Sequence, residues 1–298
     1  MSDQPSILLG LIGYGIQASL SPAMHEREAA EQGIRCLYKL IDLQRLGLGA
    51  EALAELLTAA ERMGFAGLNI TFPCKQMVIP LLDELSDDAR AVGAVNTVIL
   101  REGRRFGDNT DLFGFVESFR RGLADAKWAC VVQMGAGGAG SAVAHGLLSL
   151  GVGQLTIFDV ETARSEQLAA CLVNRFGPGR AIAGTELGRA MRAADGLVNA
   201  TPVGMAAFPG LPLPVELLRA DLWVAEIIYV PIETELLFKA RALGCRTLDG
   251  AGMAVFQAVR AFRLFTGREA DQARMIRHFE ELRGSRACHE PCRGALVR

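Results

Sequence analysis

Between an apolar run at 129–134 and a helical pattern at 141–150, the chain reads Gly135-Ala136-Gly137-Gly138-Ala139-Gly140. This is G-x-G-x-x-G, and it is followed by a second apolar run, 154–158, that ends in Asp159, 19 residues after Gly140. Strand, glycine turn, helix, strand and acid in that order are what dinucleotide binding requires. The glycines let the backbone turn tightly and approach a pyrophosphate, and the helix N-terminus then faces the anion. An acidic residue at the end of the second strand accepts from the ribose hydroxyls. A ligand-free glycine turn is the plainer alternative, and the complete strand–helix–strand context weighs against it.

Composition sets the surroundings of this unit. A chain of 298 residues suggests about two domains. Half of the residues are hydrophobic and 21% are charged, which excludes wholesale disorder. Lys and Arg number 31 against 33 Asp and Glu, a net charge of −2. That balance excludes a general nucleic-acid or membrane-surface binder, which needs a basic excess. Seven scattered cysteines fit reduced thiols in a cytoplasmic protein better than a disulfide framework. No apolar run reaches the ~18 residues of a membrane span. The apolar stretch at 7–16 is broken by Gly10, Gly13 and Gly15 and reads as a buried strand and loop, not a signal peptide.

Short apolar runs alternate with helical patterns along the chain. Strands are expected at 7–12, 37–41, 65–70 and 95–100, with helices from Ser21 and over 50–63. Ser21-Pro22 reads as an N-cap followed by proline at the first helical position. A helix over 112–123 leads out of this first unit. The second continues past Asp159 with a helix at 164–176, a helix around 186–194 and strands at 196–199 and 222–229, a Rossmann-type succession. A long amphipathic helix follows Gly252 to about Phe265, and residues 284–298 read as a loose tail. The fold class is α/β.

A dinucleotide fold licenses no particular reaction. The candidates for chemistry are compact polar motifs at the ends of the first unit's strands: Ser19-Leu20-Ser21-Pro22, Asn69-Ile70-Thr71-Phe72-Pro73-Cys74-Lys75, Gly93-Ala94-Val95-Asn96-Thr97 and Asp108-Asn109-Thr110-Asp111. Each has an ordinary use: serines cap helices, a lysine is solvated, Asn and Asp satisfy turns. Their joint occurrence upstream of a dinucleotide fold does not. Together with N-A-T-P-V-G-M from Asn199, Y-V-P-I-E-T from Tyr229 and D-G-A-G-M-A-V-F-Q-A-V from Asp249, they make the chain, over roughly residues 7–280, resemble the shikimate/quinate dehydrogenase family.

The resemblance implies a substrate domain of about 1–112 completed by 250–298, around an NAD-binding domain of about 113–249, with the active site between them. It implies that Lys75 and Asp111 are the catalytic pair and that Ser19, Ser21, Thr71, Asn96, Tyr229 and Gln257 hold the substrate. Thr201, Ile227 and Gly250 would line the nicotinamide side, with Gly135–Gly140 and Asp159 on the rest of the cofactor. These types suit polyhydroxylated ring carboxylates: serine hydroxyls donate to a carboxylate, and Asn, Thr and Gln offer mixed donors and acceptors to ring hydroxyls. Oxidation of a secondary alcohol sends a hydride to the nicotinamide and a proton to a base, the part given to Lys75.

The chain departs from the family pattern at Ala18, Cys74, Glu226 and Phe256. None of these removes a reacting group, and Phe256 beside Gln257 is expected to reshape the substrate pocket. NADP-linked members typically carry Asn-Arg-Thr after the second Rossmann strand; here Asp159-Val160-Glu161 would repel a 2′-phosphate, with Arg164 in partial compensation. NAD is therefore expected over NADP. A non-catalytic metabolite sensor of the same fold is the rival reading, and a sensor needs neither Lys75 nor Asp111. Cys288, His289 and Cys292 fall short of a four-ligand zinc site, so no metal is expected. His25 reads as a packing or capping residue, Cys74 as a buried spacer, and Met63, Met77 and Met253 as core.

Overall fold

The computed structural model describes residues 5–287. The first six strands are β1 (Ser6–Gly13), β2 (Arg35–Asp42), β3 (Gly67–Ile70), β4 (Glu84–Leu85), β5 (Thr97–Arg101) and β6 (Arg104–Asp108). They form one sheet in the order β2-β1-β3-β5-β6-β4. β1 pairs in parallel with β2 and β3, and β5 runs antiparallel to both β3 and β6. The helices of this part are α1 (Ser21–Glu31), α2 (Leu43–Leu46), α3 (Leu53–Arg62) and α4 (Asp87–Val92). One core cluster joins Ile12, Leu68, Ile70 and Val98 to Leu53 and Leu57 of α3.

Helix α5 (Thr110–Gly122) leads to a second sheet of β7 (Cys130–Met134), β8 (Gln154–Phe158), β9 (Ala181–Ala183), β10 (Gly196–Asn199), β11 (Trp223–Glu226) and β12 (Arg246–Leu248). All of its pairings are parallel, in the order β12-β11-β10-β7-β8-β9. Helices α6 (Gly138–Leu150), α7 (Thr162–Phe176), α8 (Leu187–Ala193) and α9 (Glu235–Ala242) accompany it. The chain order reverses between β7 and β10, which opens the ligand crevice of a doubly wound sheet at their carboxyl ends. Val131, Leu155, Ile157 and Val198 pack with α6 and α5 on one side, while Val132, Leu197 and Val224 pack with α8 and α9 on the other.

The chain then returns to the first sheet. Ala261 and Phe265 of α10 (Ala251–Thr266) cluster with Leu9, Leu11 and Tyr38, and Phe262 joins Met24 of α1 and Phe279 of α11 (Gln272–Ala287). α5 and α10 pack through glycine: a Cβ on Gly114 would stand 2.6 Å from the Met253 carbonyl oxygen. No described helix is long and apolar enough to cross a membrane.

Several expectations need correction. Ser21 is the first residue of α1, not its cap, and no side chain caps that helix. α6 begins inside the glycine turn, and the strand expected to Tyr229 ends at Glu226. The expected tail is helical to Ala287, while Cys288, His289 and Cys292 lie outside the described residues. Met63 and Met77 are exposed; only Met253 of the three methionines is buried.

Candidate active site

Lys75 lies in the turn after β3, and Asp111 in the first turn of α5. The turn is fixed by the Cys74 N–H donating to the Thr71 carbonyl at 2.8 Å and the Val95 N–H donating to the Lys75 carbonyl at 2.8 Å. α5 is started by Asn109, whose Oδ1 accepts the Leu112 N–H at 3.1 Å while its Nδ2 donates to the Ala94 carbonyl at 2.8 Å. These anchors bring Lys75 Nζ to 2.5 Å from Asp111 Oδ2, with both side chains largely shielded from water. Asn96 Nδ2 donates to Asp111 Oδ1 at 2.8 Å, so each carboxylate oxygen has a separate donor. Asn96 Oδ1 accepts the Thr110 N–H at 2.7 Å, which fixes the orientation of its amide. Gln257 reaches the same cluster from α10, its Oε1 accepting from Thr110 Oγ1 at 3.4 Å.

The serine loop follows β1. Asp42 at the end of β2 holds it by accepting from the Gly15 N–H at 2.9 Å and Gln17 Nε2 at 2.8 Å. Burial works against the Asp42 charge, yet these bonds and the Gln44 N–H keep its carboxyl below the usual range. Ser19 Oγ accepts the Ser21 N–H at 3.2 Å, which sets the two residues side by side. Thr71, at the end of β3, lies against β1 so closely that a Cβ on Gly13 would stand 2.2 Å from its methyl group. Tyr229 is half-buried, its ring 6.3 Å from that of Phe279.

On the other sheet, Gly135 is at φ +100° and a Cβ there would lie 2.7 Å from the Ala200 carbonyl oxygen. The glycine turn after β7 and the Thr201 loop after β10 therefore touch at the switch point. Gln133 Nε2 holds the turn by donating to the carbonyls of Gly135 and Gly140 at 2.8 and 2.9 Å. No side chain caps α6, and a Cβ on Gly137 would meet nothing within 4 Å. An uncapped helix N-terminus facing open space fits a pyrophosphate. Asp159 Oδ2 accepts the Ala136 N–H at 2.7 Å and Oδ1 the Glu161 N–H at 3.0 Å, which places the acid beside the turn. Val160 is fully exposed, and Arg164 pairs with Glu161 at 2.8 Å. The residues present fit a dinucleotide. The two halves meet here: a Cβ on Gly138 would be 3.4 Å from the Lys75 Cβ.

Thr201 donates its N–H and hydroxyl to Asn199 Oδ1 at 3.1 and 2.7 Å. Asn199 Nδ2 in turn donates to Glu226, whose carboxylate also accepts the Ile228 N–H at 3.2 Å and the Thr234 hydroxyl at 3.1 Å. Burial pushes the Glu226 carboxyl up to about 7 despite those bonds. Gly250 abuts the same strand end, where a Cβ would lie 2.4 and 2.6 Å from the carbonyl oxygens of Ile228 and Ile227. Phe256 is buried, with the Arg121 guanidinium of α5 4.4 Å above its ring. Cys74 is a buried spacer whose thiol is pushed up to about 11 by burial, and His25 is a packing residue stacked 5.2 Å from Tyr38.

Sequence reasoning did not single out Tyr38, Thr97, Thr110, Gln133, Asn199 or Thr234 as members of these networks. Thr97, Thr110, Asn199 and Thr234 lie within the motifs already noted, and that adjacency was the available signal. Tyr38 and Gln133 read as ordinary strand residues.

Comparison with known proteins finds relatives over nearly the whole chain. The model of the shikimate dehydrogenase substrate binding domain matches residues 11–98, and that of the shikimate 5'-dehydrogenase C-terminal domain matches residues 250–278. A shikimate dehydrogenase (NADP(+)) of Streptomyces avermitilis is 59% identical over 95% of this chain and 98% of its own length. A quinate/shikimate dehydrogenase (NAD(+)) of Corynebacterium efficiens is 50% identical over 94% of this chain and all of its own. The solved structure of quinate dehydrogenase from Corynebacterium glutamicum in complex with NAD superposes with a TM-score of 0.85 at 49% identity, covering 93% of this chain and 99% of that one. Identity of this extent, spread over nearly the whole of each chain, places the protein in the shikimate dehydrogenase family.

Proposed function

We propose that this protein is an NAD-linked oxidoreductase that interconverts shikimate with 3-dehydroshikimate, or quinate with 3-dehydroquinate. The observation that carries the reading is the Lys75–Asp111 pair, 2.5 Å apart, set directly beside the Gly138 turn. A sensor of the same fold needs a pocket but not a shielded lysine and carboxylate at the meeting point of the two halves. Residues 1–112 with 250–298 form the substrate domain in this reading, and 113–249 the dinucleotide domain; the return of α10 to the first sheet supports that division.

When bound, the nicotinamide supplies the hydride acceptor for oxidation and the donor for reduction. In oxidation, neutral Lys75 accepts the proton of the ring hydroxyl as the hydride leaves the same carbon. In reduction, protonated Lys75 gives its proton to the forming alkoxide. Asp111 orients the ammonium, and Asn96 keeps Asp111 in place from its other oxygen. Ser19, Ser21, Thr71, Asn96, Tyr229 and Gln257 bind the substrate's carboxylate and hydroxyls; Thr201, Ile227 and Gly250 border the nicotinamide. The test is absorbance at the reduced-nicotinamide band with NAD and each acid: turnover is expected, and none with either acid sinks the reading.

NAD is the preferred cofactor in this proposal. Asp159 accepts from ribose hydroxyls and repels a 2′-phosphate, and Val160 offers it no cation. Arg164, the residue left to compensate, is paired with Glu161. The NADP(+) in the name of the Streptomyces relative favours the opposite choice. The ratio of kcat/KM for the two cofactors decides it, and Asp159→Asn with Val160→Arg should move that ratio toward NADP.

A further inference from the structure

Glu226 ends β11 and Asn199 ends β10, and the two are paired in register at the carboxyl edge of the second sheet. Both are buried. The amide of Asn199 has one workable orientation, because its Oδ1 accepts the Thr201 N–H at 3.1 Å and the Thr201 hydroxyl at 2.7 Å. Its Nδ2 therefore faces Glu226, 3.1 Å from Oε1 and 3.0 Å from Oε2, and also donates to the Val203 carbonyl at 2.9 Å. Oε1 accepts a further bond from the Ile228 N–H at 3.2 Å. Oε2 accepts one from the Thr234 hydroxyl at 3.1 Å, whose oxygen in turn accepts the Leu237 N–H at 3.3 Å.

Each of these partners of Glu226 is a donor, and each is neutral. An ionised carboxylate accepts them all, whereas an amide in its place would turn a hydrogen toward a donor. Burying such a charge is costly, and the cost shows in a carboxyl pushed up to about 7. The sheet itself does not require it: backbone bonds already join the strand ends, where the Ile227 N–H donates to the Asn199 carbonyl at 3.3 Å. What the carboxylate adds is a tie between two loops. Through Asn199 it reaches Thr201 and Val203 after β10, and directly it reaches Ile228 after β11 and Thr234 at the start of α9. The same loops touch beside it, where a Cβ on Gly204 would lie 3.2 Å from Ile228 Cδ1. Asp159 follows β8, on the far side of β7 from both loops.

We propose that Glu226 is a positioning residue for the nicotinamide half of the cofactor, its carboxylate holding the Thr201–Val203 and Ile227–Tyr229 loops in one mutual arrangement by accepting from both. This rests on the dinucleotide reading of the site given above. Glu226 acts through Asn199, Thr201 and Ile228, and the adenosine half, on the glycine turn and Asp159, does not depend on it.

The experiment is calorimetric binding of NADH and of ADP-ribose, which lacks only the nicotinamide ring, at pH 8.5, where the carboxylate is ionised. Glu226→Gln keeps the size and turns one acceptor into a donor. Its Kd for NADH should rise roughly tenfold, while its Kd for ADP-ribose stays within twofold of the wild type. Glu226→Asp sets the charge one methylene farther back and should recover part of the loss. If Glu226→Gln does not fold, Thr234→Val takes its place: it removes one donor from Oε2 and should raise the Kd for NADH about fivefold with the same split. A folded variant that binds NADH within twofold of the wild type overturns the inference, and so does one that loses NADH and ADP-ribose alike, since that is a structural role. A wild type that binds NADH but oxidises neither acid overturns the enzyme reading alone. A wild type that binds neither NADH nor ADP-ribose overturns the dinucleotide reading and this inference with it.

Discussion

Lys75 and Asp111 stand 36 positions apart in sequence and meet because backbone bonds pin the turn after β3 and the Asn109 side chain pins the start of α5. Lys75→Ala should lower kcat by ~10²–10⁴-fold with a much smaller change in substrate KM. Steady-state kinetics check this, and near wild-type turnover would remove Lys75 from its role. Asp111→Asn should be strongly impaired too, and the double variant should lose less than the two single losses combined. His25 yields a prediction of another kind. Burial pulls its imidazole down to about 4 from an ordinary 6.5, with Glu28 opposing, and neither ring nitrogen has a hydrogen-bond partner. Between those values the unfolded chain binds a proton that the folded protein refuses. Stability is therefore lost as pH falls from 6.5 to 4, by about 3 kcal/mol from this group, and levels off below. Urea unfolding across that range should show a shallower loss in His25→Phe than in the wild type.

At the scale of elements, the site depends on how closely backbones approach. α5 carries Asp111 and α10 carries Gln257, and they meet where a Cβ on Gly114 would stand 2.6 Å from the Met253 carbonyl and 2.8 Å from the Gln257 nitrogen. Gly114→Ala should push the helices apart, cost ~1–3 kcal/mol in denaturant unfolding and raise substrate KM by displacing Gln257. Unchanged stability would show that the helices shift at no cost. The same elements show what a sequence reveals. β7, α6 and β8 were legible because apolar runs and a glycine turn both pointed to them. β6 was not: Arg104-Arg105 make it look like surface, and its two-residue turn places Glu102 at φ +54° before Gly103 at +70°, where Asn-Gly would have been the plain signal. α11 escaped because its buried positions, Met275, His278 and Phe279, are few and include a polar residue. The motif residues were readable one by one, whereas the Tyr38–Asn69 hydrogen bond depends on β2 and β3 flanking β1 in the sheet.

For the molecule as a whole, two sheets share one crevice, and a ligand that bridges them binds the folded state alone. NAD at 100 times its dissociation constant should stabilise the protein by ~2.7 kcal/mol through mass action. Thermal unfolding with equal concentrations of each cofactor should show a larger rise with NAD than with NADP, and equal shifts would count against the Asp159 argument. The return of α10 also has a consequence in time. β6 ends at Asp108, yet Ala261 and Phe265, which cover Leu9 and Leu11, emerge from the ribosome roughly 150 residues later. At ~5–20 residues per second the first sheet waits about 7–30 s with one apolar face bare, while the second sheet, complete within its own stretch of chain, is free to form first. The half that carries Lys75 is thus made early but finished late, and during that interval the nascent chain is exposed to aggregation and chaperone capture in a way the finished protein is not.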